Sequence, residues 1–192
     1  MPIQLAGGCL QGEQCGRGGG SDSAAQFEEQ MLPHLDAAYN LARWLMRNEE
    51  DAEDVVQESF MRAFRFFRSF RGGNARAWLL RIVRNTSYAW LEQDCRMEGT
   101  EFDDEVCGPD GNTVDPEEAL LRSEGGRLLR QALEKLAMDY REVLILREIE
   151  GMSYKEISDV IGVPVGTVMS RLSRARLGLR RALHDQISGR SE

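Results

Sequence analysis

The side chains best equipped for chemistry in this 192-residue chain are arginines and small hydroxyls near its C-terminal end. Thr167, Ser170, Arg171 and Arg174 follow closely on one another, with Arg176, Arg180 and Arg181 just beyond. Such groups hydrogen-bond to phosphates and to the edges of bases. They do not form a nucleophile with a base, and no phosphate loop or other reacting constellation stands elsewhere, so no enzyme is expected. Cys9, Cys15, Cys95 and Cys107 contain no Cys-x-x-Cys pair, and His34 and His184 lie near none of them in sequence. Neither a metal nor a cofactor is expected, and the thiols should be free.

Two helices and a tight turn must position those arginines. Ser153 followed three residues later by Glu156 is a capping-box start, and Ile157, Val160 and Ile161 give the first helix one apolar face. Gly162 ends it. Pro164 suits a first-turn position, so a second helix begins there, with Val168, Leu172, Ala175, Leu179 and Leu183 inward and the hydroxyls and arginines outward. Helix, short turn and a second helix with a cationic outer face is a helix-turn-helix, whose second helix fits the major groove of B-DNA.

A net charge of −8 conceals strong segregation. Residues 26–60 hold two Arg against nine acids, whereas 61–97 hold eight Arg against two, a net of +6. Residues 98–125 are the most acidic, at −9, and 163–184 carry five Arg and no acid. Two basic blocks on an otherwise acidic chain read as two DNA-facing patches, with the acidic remainder restraining non-specific adhesion. No apolar run approaches the roughly 20 residues that span a bilayer, so direct membrane insertion is not expected and a cytoplasmic protein is.

The remaining chain supplies helices and connectors. Residues 1–25, rich in glycine, are expected to be a disordered tail. Between Phe27 and Arg47, apolar residues from Met31 to Leu45 recur at the spacing of one core-facing helix; Asp51 is placed to cap the next helix, which runs to about Phe70 through Val55, Ser59, Ala63 and Phe67. Asp54, Gln57 and Glu58 share one edge of that helix, open to a basic partner. Gly72 and Gly73 allow a tight loop. A further helix, from about 75 to 93, sets Trp78, Ile82, Trp90 and either Thr86 or Ala89 along one side, as core or as stacking platforms. Residues 94–122 lack periodicity and read as a flexible linker. Leu120, Leu121, Leu128, Leu129, Ala132, Leu133 and Leu136 then form an amphipathic pattern that Gly125 and Gly126 can interrupt, and Val143, Leu144, Leu146 and Ile149 supply a face beneath the helix-turn-helix.

The motif GMSYKEISDVIGVPVGTVMSRLSRAR resembles the C-terminal promoter-reading region of bacterial sigma factors, and DAEDVVQESFMRAFR their polymerase-docking segment. With both in order, the chain is identified as similar to extracytoplasmic-function sigma factors. The resemblance implies an all-α fold of two small helical domains, at 26–97 and 120–187, joined by an acidic linker at 98–119. It implies binding to core RNA polymerase, through the β′ clamp helices and the β flap, and to promoter DNA, with an anti-sigma factor as regulator. On this resemblance Asp54, Gln57 and Glu58 dock on polymerase. Phe70, Gly72, Gly73, Asn74 and Ala75 hold a flipped base of the minus-ten element, with Arg81 and Asn85 beside it. Thr167, Ser170, Arg171 and Arg174 face the minus-35 element, Ser170 and Arg174 at base- or phosphate-contacting positions, Thr167 and Arg171 fixing the backbone or a neighbouring helix. Arg147 contacts phosphate or pairs with a nearby acid. Met169, Ser173 and Ala89 depart from residues found in some relatives, which implies a different base preference. The rival reading is a helix-turn-helix regulator that works without polymerase; it leaves the Asp54 edge and the glycine loop without a purpose.

Overall fold

The computed structural model describes residues 19–46, 48–97 and 124–188, and among these every regular element is helical. The first module holds α1 (Gly19–Met31), α2 (Leu35–Leu45), α3 (Glu49–Phe66) and α4 (Ala75–Met97). The second holds α5 (Glu124–Glu134), α6 (Met138–Leu144), α7 (Tyr154–Ile161) and α8 (Val165–Ser188). The expected linker at 98–119 lies outside the described residues, as do Cys9, Cys15 and Cys107.

Three expectations for the N-terminal part need correction. Helix begins at Gly19, inside the span expected to be a disordered tail. Tertiary burial overrides local composition here: Phe27 is buried with its ring edge-on to Phe60, Phe64 and Phe67, at centroid distances of 6.3, 5.2 and 5.3 Å, and such rings bury large areas. Nor is there one helix from Phe27 to Arg47. Pro33 sits in a 3-10 turn, Leu32–His34, that separates α1 from α2, as its missing amide hydrogen favours. At the next boundary Asn48, not Asp51, is the cap, its side chain accepting from the Asp51 amide at 2.7 Å.

Around α4 the first module closes its core. Leu79, Leu80 and Val83 are fully buried, whereas Trp78, Ile82 and Trp90 pack at the core's margin. Val55, Ser59, Ala63 and Phe67 all face inward as their spacing predicts.

In the second module α7 and α8 form the expected pair. Ser153 accepts from the Glu156 amide and Glu156 from the Ser153 amide, a complete capping box, and Gly162 closes α7 in the left-handed region at φ 75°. Val168, Leu172 and Ala175 are buried beneath, while Leu179 and Leu183 are half-buried. Ser153→Ala should cost about 1 kcal/mol of stability, a typical cap loss; a urea midpoint within error of the parent would contradict that role. The α6 segment supports this pair through buried Val143, Leu144, Ile145 and Leu146, continuing into one π turn, Ile145–Ile149. Ile149 is the exception to the expected inner face and is 48% exposed. Gly125 and Gly126 lie inside α5 and do not interrupt it.

The modules pack against each other, α4 on α7 and α2 on α6. A charged seam runs along this junction. Arg84 donates from Nε to Glu142 at 2.8 Å, and the Tyr88 hydroxyl donates to the same carboxylate at 3.0 Å. Arg76 pairs with Glu150, which also accepts from Asn40 at 3.2 Å. Buried Arg141 donates to the carbonyls of Leu133, Glu134 and Leu136 and, across the junction, to that of Trp44.

Candidate nucleic-acid and polymerase interfaces

Helix α3 presents two of the three expected docking side chains. Asp54 and Gln57 are exposed, and Gln57 borders a groove of about 400 Å³ between α2 and α3 floored by Val56 and Phe60. Glu58 is turned away. It accepts from Arg62 one helical turn on and from the Trp90 indole at 2.6 Å. That indole N–H holds the Glu58 carboxyl below the ordinary carboxylate range, with Arg62 adding to it against partial burial. The outward edge thus carries Asp54 and Gln57 with exposed Glu53 beside them, and Glu58, its side chain 35% exposed, is tied toward α4 at its margin.

The glycine loop is built as its residues require. Gly72 and Gly73 have φ of 83° and 102°, values that side-chain-bearing residues rarely adopt. Asn74 caps α4, accepting from the Ala77 amide at 3.0 Å. Phe70 is half-buried between rings, 6.1 Å from Phe67 and 5.1 Å from Trp78, which fixes the loop's base. Arg81 and Asn85 are exposed along α4, and Ala75 is half-buried in its first turn. Between this loop and α7 lies a cleft of about 460 Å³, bordered by Phe70, Gly72, Asn74 and Arg81 on one side and Ser158, Asp159 and Gly162 on the other. Asn74 also donates to Glu156 at 2.6 Å. The loop expected to hold a base is thus tied to the helix-turn-helix.

Along α8, Ser170 and Arg174 are exposed. The Ser170 hydroxyl donates to the Thr167 carbonyl at 2.9 Å and keeps its lone pairs for an outside donor. Thr167 is half-buried. Arg171 turns inward, pairing with Asp139 and lying 3.6 Å from Glu142, so it fixes a neighbouring helix. Arg176 pairs with Glu148 at 2.7 Å. Arg147 is half-buried and has no acidic partner among the described residues: it donates to the Met152 carbonyl at 2.6 Å, its guanidinium 5.0 Å from the Tyr154 ring centroid, clamping the entry to α7.

Sequence reading did not single out Arg84, Glu142, Glu150 or Arg141 as junction residues. A signal existed for two of them: Arg141 and Glu142 stand together beside the apolar run from Val143 to Leu146, and charges so placed are rarely left unpaired when buried. Among the described residues no cluster of His, Cys, Asp and Glu could hold a metal, and no helix is long and apolar enough to cross a membrane.

An acid-and-amide edge thus stands on one helical module and an arginine-bearing helix-turn-helix on the other. Residues 31–96 match Sigma-70 region 2, and residues 126–179 match Sigma-70, region 4. The ECF RNA polymerase sigma-E factor of Haemophilus influenzae is 38% identical over 147 residues, covering 71% of this chain and 75% of that one. The ECF RNA polymerase sigma factor SigE of Mycolicibacterium smegmatis is also 38% identical, over 83% of this chain, which spans 63% of that relative. In fold the chain is similar to the sigma factor RpoE solved in complex with the anti-sigma factor NepR from Bartonella quintana, with a TM-score of 0.65, 30% identity, and coverage of 83% of this chain and 97% of that one. The chain belongs to the extracytoplasmic-function family of RNA polymerase sigma factors.

Proposed function

We propose that this chain binds core RNA polymerase in the cytoplasm and directs it to promoters by recognition, without catalysing a reaction itself. Asp54 and Gln57 dock on the β′ clamp helices, and the second module meets the β flap. The loop at 70–75, with Arg81 and Asn85, takes a flipped base of the minus-ten element, and α8 enters the major groove at minus-35. The observation that carries this reading is the division of labour between two modules: the acidic edge of α3 suits a basic protein partner, while α8 carries Ser170 and Arg174 outward. Because Asn74 donates to Glu156 and α7 borders the cleft beside the loop, the modules part before that loop reads DNA. An anti-sigma factor that favours the packed arrangement would therefore hold the protein inactive.

The test is reconstitution. Mixed with purified core enzyme, the chain should co-elute with it and support run-off transcription from mapped start sites; failure to join core polymerase would end the proposal. Asp54→Arg places a like charge against a basic partner and should weaken core binding by about tenfold or more. Its exposed position leaves folding intact, so a parental circular dichroism spectrum alongside parental core affinity would remove Asp54 from the interface.

A further inference from the structure

Two outward side chains on the first turns of α8 are apolar and have no role in hydrogen bonding. Met169 is 53% exposed and Val165, one turn earlier, is 39% exposed, so an apolar strip runs along the first turns of the helix beside Ser170 and ahead of Arg174. Isolated exposed apolar residues are common and need no cause, but this strip lies at the end of α8 that bears the base-reading candidates. Gly166 marks the same place. It is helical without positive φ, and a Cβ built on it would meet nothing within 4 Å. Neither backbone conformation nor packing inside the chain requires glycine there, although glycine weakens a helix. A bare backbone at this turn leaves room for an outside chain to approach closely.

The charge on this segment selects the occupant: residues 163–184 carry five Arg and no acid, a match for a polyanion. Within the major groove of DNA, the C5-methyl of thymine is the apolar feature on a base edge. Methionine has three rotatable bonds and a polarizable sulfur, which let it cover such a group without strict geometry. We infer that Met169 packs on the C5-methyl of a thymine in the minus-35 element and so acts as a specificity-determining residue. This rests on the reading of α8 as the groove-entering helix.

A pool of promoter fragments randomised across the minus-35 element is selected with holoenzyme assembled from the chain and core polymerase. The winning sequence is then resynthesised with deoxyuridine replacing each thymidine in turn. One such replacement should weaken parental binding about fourfold, the worth of a single buried methyl group, and change the binding of Met169→Ala by less than about twofold on the same scale. Deoxyuridine harmless at every position, or equally harmful to parent and Met169→Ala, would overturn the inference while leaving α8 in the groove. A pool that yields no preference at minus-35 would instead overturn the placement of α8, and this inference with it.

Discussion

Arg84→Ala will lower the stability of the packed protein by about 3 kcal/mol, the low end of what removing one partner of a buried ion pair costs. Glu142 is fully buried at 0% side-chain exposure, against 18% for Arg84, so the substitution strands a carboxylate inside the protein. The low end applies because two groups remain to it: the Tyr88 hydroxyl at 3.0 Å and Arg171 at 3.6 Å. Tyr88 is weakened in turn, since the Arg84 guanidinium lies 4.2 Å from its ring centroid. The seam itself bounds the penalty. Once the cost of burying Glu142 exceeds the energy holding the modules together, they part and water reaches the carboxylate. The variant should therefore show a lower urea midpoint and a larger radius of gyration by X-ray scattering; parental values of both would mean that Arg84 does not hold the junction.

Two controls separate charge from shape. Replacing the pair together, Arg84→Met with Glu142→Leu, removes both charges and should recover most of the loss, because a buried ion pair exchanged for apolar groups is often neutral. The second control is pH. Burial pushes the Glu142 carboxyl above the ordinary carboxylate range, against the pull of Arg84; without Arg84 it rises further. A carboxyl whose folded pKa exceeds its unfolded one holds its proton longer in the packed state, so acid favours packing and rising pH erodes it. The stability gap between Arg84→Ala and the parent should narrow as pH falls from about 8 toward about 5.5. Glu58 and Glu156 do not mask this, since hydrogen bonds, chiefly from Trp90 and Ser153 respectively, hold both below the ordinary range; His34, held below the ordinary imidazole range by burial and by Arg76, loses stability over the same span in parent and variant alike, which the comparison with the parent removes.

Local chemistry was the legible part of this fold. The Ser153–Glu156 box, Gly162 in the left-handed region and the inward face of α8 all follow from interactions within a few residues, which spacing alone specifies. What spacing does not specify is which distant group a side chain meets. Glu58 shares an edge with Asp54 and Gln57 in any helix, yet the Trp90 indole, 32 residues on, draws it away. Arg147 had two candidate partners on the resemblance, phosphate or acid; the structure gives it a carbonyl and a ring. The same holds for α1, where glycine-rich composition argued against order until Phe27 found three rings from α3 and the 3-10 turn that follows it. The seam of Arg76, Arg84, Glu142 and Glu150 is the extreme case, since each pair spans more than 50 residues. No periodicity in either module encodes it.

Arg174→Ala should reduce promoter-specific transcription by tenfold or more while leaving core binding unchanged. A bidentate arginine–base contact is worth about 1–3 kcal/mol of discrimination, whereas a lone phosphate contact weakens all sequences alike and lowers the salt slope by about one. The two nearest cations on the helix do not substitute for it, because Arg171 pairs with Asp139 and Arg176 with Glu148. Exposed Arg174 can lose its side chain without leaving a buried group unpaired, so the fold and the α3 docking edge should survive. The deciding measurement sets run-off transcription beside core affinity, across a salt series and on minus-35 variants. Loss confined to one base position identifies a base-reading arginine, and a uniform loss with a shallower salt slope identifies a phosphate ligand. A parallel fall in core affinity would show instead that α8 faces polymerase, and the groove assignment would be withdrawn.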